Sequence, residues 1–141
     1  IEKDEEFFFT YGDGVSDVNI SKLLDYHKSH GKQATLTATR PPGRYGALKI
    51  KDNGVVDSFQ EKPDGDGSWI NGGFFVLNTK VIDRISGDLI SWEDDPLSGL
   101  ANDKELAAYK HSGFWQPMDT LREKNMLNNL WEDGNAPWKV W

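Results

Sequence analysis

A stretch near the start of the chain, Phe7-Phe8-Phe9-Thr10-Tyr11-Gly12-Asp13-Gly14, limits the choice of fold more than any other. After a charged run from Glu2 to Glu6, three aromatics follow one another without alternation. That is the pattern of a strand covered on both faces, as at the centre of a parallel sheet. Gly12-Asp13-Gly14 then stops the strand in a tight turn. Asp13 is thereby set just beyond the carboxyl end of the strand, the edge at which open α/β sheets bind ligands. An Asp that serves only the backbone of the turn fits the same residues. The chain has no initiator Met and opens almost at once into this buried-type strand, which needs neighbours on both sides. It is therefore expected to be a fragment that lacks earlier strands.

Further along, elements alternate. Asn19 or Ser21 can cap a helix whose Ile20, Leu23, Leu24 and His27 share one face, and Gly31 ends it. His27 and His30 near its end suit packing and the helix dipole better than catalysis. Residues 32–40 are rich in β-formers and predict a strand. The loop Arg40-Pro41-Pro42-Gly43-Arg44-Tyr45-Gly46 offers two guanidinium forks that suit phosphate, or a surface turn with incidental arginines. Residues 47–50 and 55–59 predict a hairpin about Asn53-Gly54. It delivers Glu61 and Lys62 at a strand tip stopped by Pro63, where they face a bound sugar phosphate or merely solvent.

Trp69 to Leu77 reads as a buried-type strand broken by Gly72-Gly73, a bulge or a place of close ligand approach, with Asn71 beside it able both to donate and to accept. Thr79 to Ile85 suggests a short helix, and Glu93-Asp94-Asp95 the acidic start of another through Leu100 and Ala101. Leu106 to His111 predicts a strand. After Phe114-Trp115-Gln116-Pro117-Met118, Asp119-Thr120 opens a last helix, amphipathic through Leu121, Met126, Leu127 and Leu130. Asp119 reads locally as its N-cap, with Glu123 in the first turn.

Composition narrows the function. The chain has 141 residues, 37% of them hydrophobic, which suits one folded domain. Sixteen Lys and Arg against 23 Asp and Glu give a net charge of −7, against a general nucleic-acid binder. Cysteine is absent, so thiolate chemistry is excluded. Nothing signals export or a membrane span, and a cytoplasmic location is expected.

Four pieces together resemble the sugar nucleotidyltransferases, most closely the glucose-1-phosphate cytidylyltransferases. They are Phe9-Thr10-Tyr11-Gly12-Asp13-Gly14, Pro41-Pro42-Gly43-Arg44-Tyr45-Gly46-Ala47-Leu48, Phe59-Gln60-Glu61-Lys62-Pro63 with Asn71-Gly72-Gly73-Phe74-Phe75, and Phe114-Trp115-Gln116-Pro117-Met118-Asp119-Thr120-Leu121-Arg122. The glycine-rich loop that begins the family's nucleotide-binding half is absent, so the resemblance is to the C-terminal half, which carries the sugar-phosphate pocket and the metal carboxylates. It implies an α/β fold with a Rossmann-like, mixed but mostly parallel sheet truncated on its N-terminal side.

The implied reaction converts CTP and glucose 1-phosphate to CDP-glucose and pyrophosphate. By the resemblance, Asp13 and Asp119 hold Mg²⁺, and Lys62 binds the phosphate of glucose 1-phosphate. Tyr11, Gly12, Glu61, Asn71 and the backbone at Gly46 and Gly72 line the sugar site, and Arg44 assists at phosphate. Asp13, Lys62 and Asp119 are thus the catalytic set, inactive in this half alone. Thymidylyl or uridylyl transfer, or a non-catalytic sugar-phosphate-binding or oligomerisation domain, stand as alternatives. Exposed sheet and the tail tryptophans Trp138 and Trp141 point to a homo-oligomer.

Overall fold

The computed structural model describes residues 5–41, 46–50, 52, 54, 56–61 and 69–141. Its main sheet has four strands in the order β1-β6-β3-β7: β1 is Glu6–Thr10, β3 Ala34–Thr39, β6 Ile70–Asn78 and β7 Leu106–Lys110. Strands β1, β3 and β7 share one direction, and β6 runs against both of its neighbours, so β3/β7 is the parallel pair of a mixed sheet. Two ribbons accompany it. One pairs β2 (Gly14–Ser16) with β8 (Trp115–Pro117), and the other pairs β4 (Gly46–Ile50) with β5 (Val56–Glu61).

Helices cover both faces of the main sheet. On one face lies α1, Ile20–His30. Asn19 is its N-cap, with its side-chain carbonyl accepting the Lys22 amide at 2.9 Å, and Gly31 closes it at φ 70°. That is the left-handed cap a glycine adopts without a Cβ clash. Buried Leu23 and His27 face the sheet, whereas Ile20 is largely exposed. The two histidines hold α1 to β3 and β6. The Lys32 amide donates to His30 Nδ1 (2.9 Å), leaving Nε2 to meet the Thr35 hydroxyl at 2.7 Å. The same hydroxyl lies 2.8 Å from His27 Nδ1, and His27 Nε2 lies 2.7 Å from Asn78 Oδ1. Burial, then the neighbouring His27 and Lys32, hold the His30 pKa below its usual value.

The opposite face buries Ala34, Phe75 and Leu77 of the sheet with Val81 and Leu100. Val81 lies on a 3-10 helix, Thr79–Arg84, and Leu100 on α2, Asp95–Asn102. Phe9, Phe75 and Trp92 pack as a trio with ring centroids 5.6 to 5.8 Å apart, a geometry that adds to area burial. Full burial of a side chain such as Phe75 or Leu100 contributes roughly 1.5–3 kcal/mol.

One expectation is corrected here. Among the described residues β1 stands at an edge of the sheet beside β6, and its exposure alternates, so it is covered on one face rather than on both. Phe7 and Phe9 pack against the core, while Phe8 is 50% exposed on the α1 side, where α1 reaches β3, β6 and β7. An aromatic run does not itself distinguish a strand covered twice from one covered once.

Candidate functional site

The β2/β8 ribbon joins parts of the chain about a hundred residues apart. Gly14 faces Pro117, Val15 faces Gln116 and Ser16 faces Trp115. Just past the ribbon's end the Met118 amide donates to the Asp13 carbonyl at 2.7 Å. Asp13 therefore lies across from Met118, one residue from Asp119, and both aspartates are exposed. At its other end the ribbon is tied by the Phe114 carbonyl, which accepts from the Ser16 hydroxyl (2.7 Å) and the Asp17 amide (3.3 Å). His111 Nε2 lies 3.1 Å from that carbonyl and 2.9 Å from Asp17 Oδ1. Its N–H is directed at the carbonyl, and the buried Asp17 Oδ1 beside the ring lies outside hydrogen-bond geometry.

Helix α3 spans Leu121–Glu132. Its N-cap is Thr120, whose hydroxyl accepts the Glu123 amide at 3.2 Å, so the capping role does not fall to Asp119. Of the apolar positions expected on its inner face, Leu127 is buried, but Leu121 is 71% exposed and Met126 is also exposed.

Beside the ribbon, Gly72 and Gly73 form a bulge-like irregularity within β6, where its register with β3 shifts. Gly73 takes φ 79°, and a Cβ there would come 2.8 Å from the Tyr11 ring. The Gly73 carbonyl accepts the Tyr11 amide (2.9 Å), and the Trp115 indole donates to the Gly72 carbonyl (2.8 Å). Asn71 accepts the Gly73 amide at 2.9 Å and donates to the Tyr11 hydroxyl at 3.2 Å. The Tyr11 pKa is pushed up to about 12, first by burial, then by its hydrogen bond with Glu93, against the smaller effect of Asn71. Glu93 is the residue that local sequence reasoning missed. It was legible only as part of an acidic helix start, and its contact with Tyr11 is tertiary.

The structure thus brings Tyr11, Gly12, Asp13, Asn71, Gly72 and Asp119 to the region where the β2/β8 ribbon meets β6. Gly46 and Glu61 face each other across the β4/β5 ladder. Arg44 and Lys62 lie outside the described residues. Among the described residues no three His, Cys, Asp or Glu side chains gather as a metal cluster. Two carboxylates on neighbouring backbone positions nevertheless fit Mg²⁺, which usually keeps several waters and takes one or two carboxylates plus substrate phosphates. Among the described residues no helix is long and apolar enough to cross a membrane.

This mixed-sheet architecture is shared with solved structures. The chain belongs to the nucleotidyl transferase family, whose model matches residues 1–133. It is 62% identical over 141 residues to the glucose-1-phosphate cytidylyltransferase of Salmonella typhimurium, a match covering 100% of this chain and 54% of that protein. A probable glucose-1-phosphate cytidylyltransferase of Bacillus subtilis is 44% identical over 139 residues, with 98% and 54% covered. The chain thus spans about half the length of the curated relatives it matches. That share gives no support to placing it in the C-terminal half in particular. The fold is that of a putative glucose-1-phosphate thymidylyltransferase from Bacillus anthracis, with TM-score 0.60, 16% identity, and 98% of this chain and 56% of that one covered. HddC from Yersinia pseudotuberculosis gives TM-score 0.57 at 21% identity, with 86% and 53% covered.

Proposed function

We propose that this chain supplies the sugar-phosphate pocket and the Mg²⁺ carboxylates of a nucleotidyltransferase that makes CDP-glucose and pyrophosphate from CTP and glucose 1-phosphate. The observation that carries the reading is the backbone bond from Met118 to Asp13, which sets Asp13 and Asp119 at the same end of one ribbon. The similarity to glucose-1-phosphate cytidylyltransferases supports the choice of substrates.

In this reading a phosphate oxygen of glucose 1-phosphate attacks the α-phosphorus of CTP in line, a new P–O bond forms, and pyrophosphate leaves. No covalent enzyme intermediate is needed, so the chain's work is positioning and charge stabilisation. Asp13 and Asp119 hold Mg²⁺, which when bound supplies neutralisation of phosphate charge. Lys62 binds the phosphate of glucose 1-phosphate, with Arg44 assisting. Tyr11, Gly12, Glu61, Asn71 and the backbone at Gly46 and Gly72 receive the sugar hydroxyls, and Glu93 keeps the Tyr11 hydroxyl oriented. The half-exposed Phe8 on the β1 edge and the exposed Trp141 support self-association.

Calorimetric titration of the chain with CDP-glucose and with glucose 1-phosphate, each with and without Mg²⁺, tests the reading. Saturable binding is expected, weakened about tenfold or more by Lys62→Ala, the scale of one charged hydrogen bond. UDP-glucose and dTDP-glucose titrated alongside separate the cytidylyl reading from the uridylyl and thymidylyl ones. A folded chain that binds none of these ligands would count against the pocket.

A further inference from the structure

Glu123 is a carboxylate on the first turn of α3 and is only 6% exposed. Burying a charge is costly unless donors surround it. Its donors are specific. Oε2 accepts from the Gln116 side chain at 2.8 Å, and Oε1 accepts from the Thr120 hydroxyl at 3.0 Å and from the backbone amide of Asp119 at 3.3 Å. Gln116 also donates to the Pro117 carbonyl at 3.0 Å.

In an ordinary capping box the acid three residues into a helix reaches back to the amide of the N-cap itself. Here it reaches the N-cap hydroxyl and the amide one residue earlier, and that residue is Asp119. Gln116, the third participant, sits on β8 opposite Val15 of β2. One buried carboxylate therefore links three things: the helix start, the ribbon that carries Asp13, and the backbone of Asp119.

We infer that Glu123 is a positioning residue, which clamps the Asp119 backbone between β8 and α3 and so fixes its carboxylate relative to Asp13. The inference rests on the reading of Asp119 as a metal ligand, and it assigns to Glu123 no contact with substrate or metal. Partners of this kind, one step outside the ligands, typically change metal affinity by about 10–100-fold when removed.

The test uses Glu123→Ala and Glu123→Gln in the full chain, with three readouts: thermal midpoint, amide hydrogen exchange, and Mn²⁺ affinity from the resonance of free Mn²⁺. In Glu123→Ala the Asp119 amide is expected to exchange about tenfold faster relative to amides inside α3, since a local opening replaces its acceptor with water. Mn²⁺ affinity should fall about tenfold. Glu123→Gln keeps an oxygen for the Asp119 amide and lets the Gln116 amide turn over. It should recover both readouts to within about threefold, whatever its midpoint, because that acceptor is retained.

Unchanged Asp119 exchange and Mn²⁺ affinity in Glu123→Ala would overturn the inference. So would losses in both variants that simply follow the melting point, because Glu123 would then be a helix cap and nothing more. If the wild-type chain binds no Mn²⁺ while Asp119 exchange still rises in Glu123→Ala, the clamp stands and the metal reading of Asp119 is what fails.

Discussion

The amide of Asn71 is engaged at both ends within the fold, on Gly73 and on Tyr11. In the proposed sugar site, its remaining lone pair and N–H would meet a hydroxyl from a side chain whose orientation these two bonds fix. Tyr11 carries the measurable consequence. Its hydroxyl is held neutral by burial and by Glu93, with a pKa near 12 against 10.0 for a free side chain. Between those values the unfolded chain loses this proton and the folded chain keeps it, so stability falls as pH rises through that window. Urea unfolding of wild type and Tyr11→Phe from pH 9 upward should show the wild type losing ground to the variant from about pH 10. A constant difference would mean that Tyr11 titrates normally. In the sequence, Asn beside a glycine pair and Asp between glycines stood out as candidates, each with a plain turn or bulge reading beside it. Glu93 was not, because nothing in an acidic helix start says that its side chain will meet a tyrosine eighty residues earlier in the chain.

At the scale of elements, strands with strong local signals fell where the residues put them. β3, β6, β7 and the helix capped by Asn19 and Gly31 are examples. The three-residue strands β2 and β8 were missed or blurred because such short segments show no periodicity, and their pairing is set by contacts across the whole chain. That β1 is covered on only one face was also illegible, for three aromatics in a row satisfy one covered face as well as two. The glycine pair in β6 was legible as an irregularity, and the structure supplies its cause. A side chain at Gly73 meets both a left-handed backbone and the Tyr11 ring. Gly73→Ala should therefore cost about 2 kcal/mol or more in urea unfolding. Gly87→Ala, where a Cβ meets nothing within 4 Å, should change little. Equal effects at the two sites would remove the close approach of Tyr11 as the reason for the glycine.

For the molecule as a whole, a mixed sheet with helices on both faces brings Asp13 and Asp119 into one neighbourhood although they are far apart in sequence. That juxtaposition is what the proposed phosphoryl chemistry requires of the fold. Backbone bonds of the ribbon create it, and the Glu123 clamp steadies it. The most direct measurement is nitrogen-15 NMR of the chain titrated with substoichiometric Mn²⁺, whose unpaired electrons broaden nearby amides. Broadening is expected first at residues 12–14 and 118–120, lost when either Asp13→Asn or Asp119→Asn is introduced alone. Broadening that instead begins at other surface carboxylates such as Asp94 or Asp133, or that survives both substitutions, would contradict it.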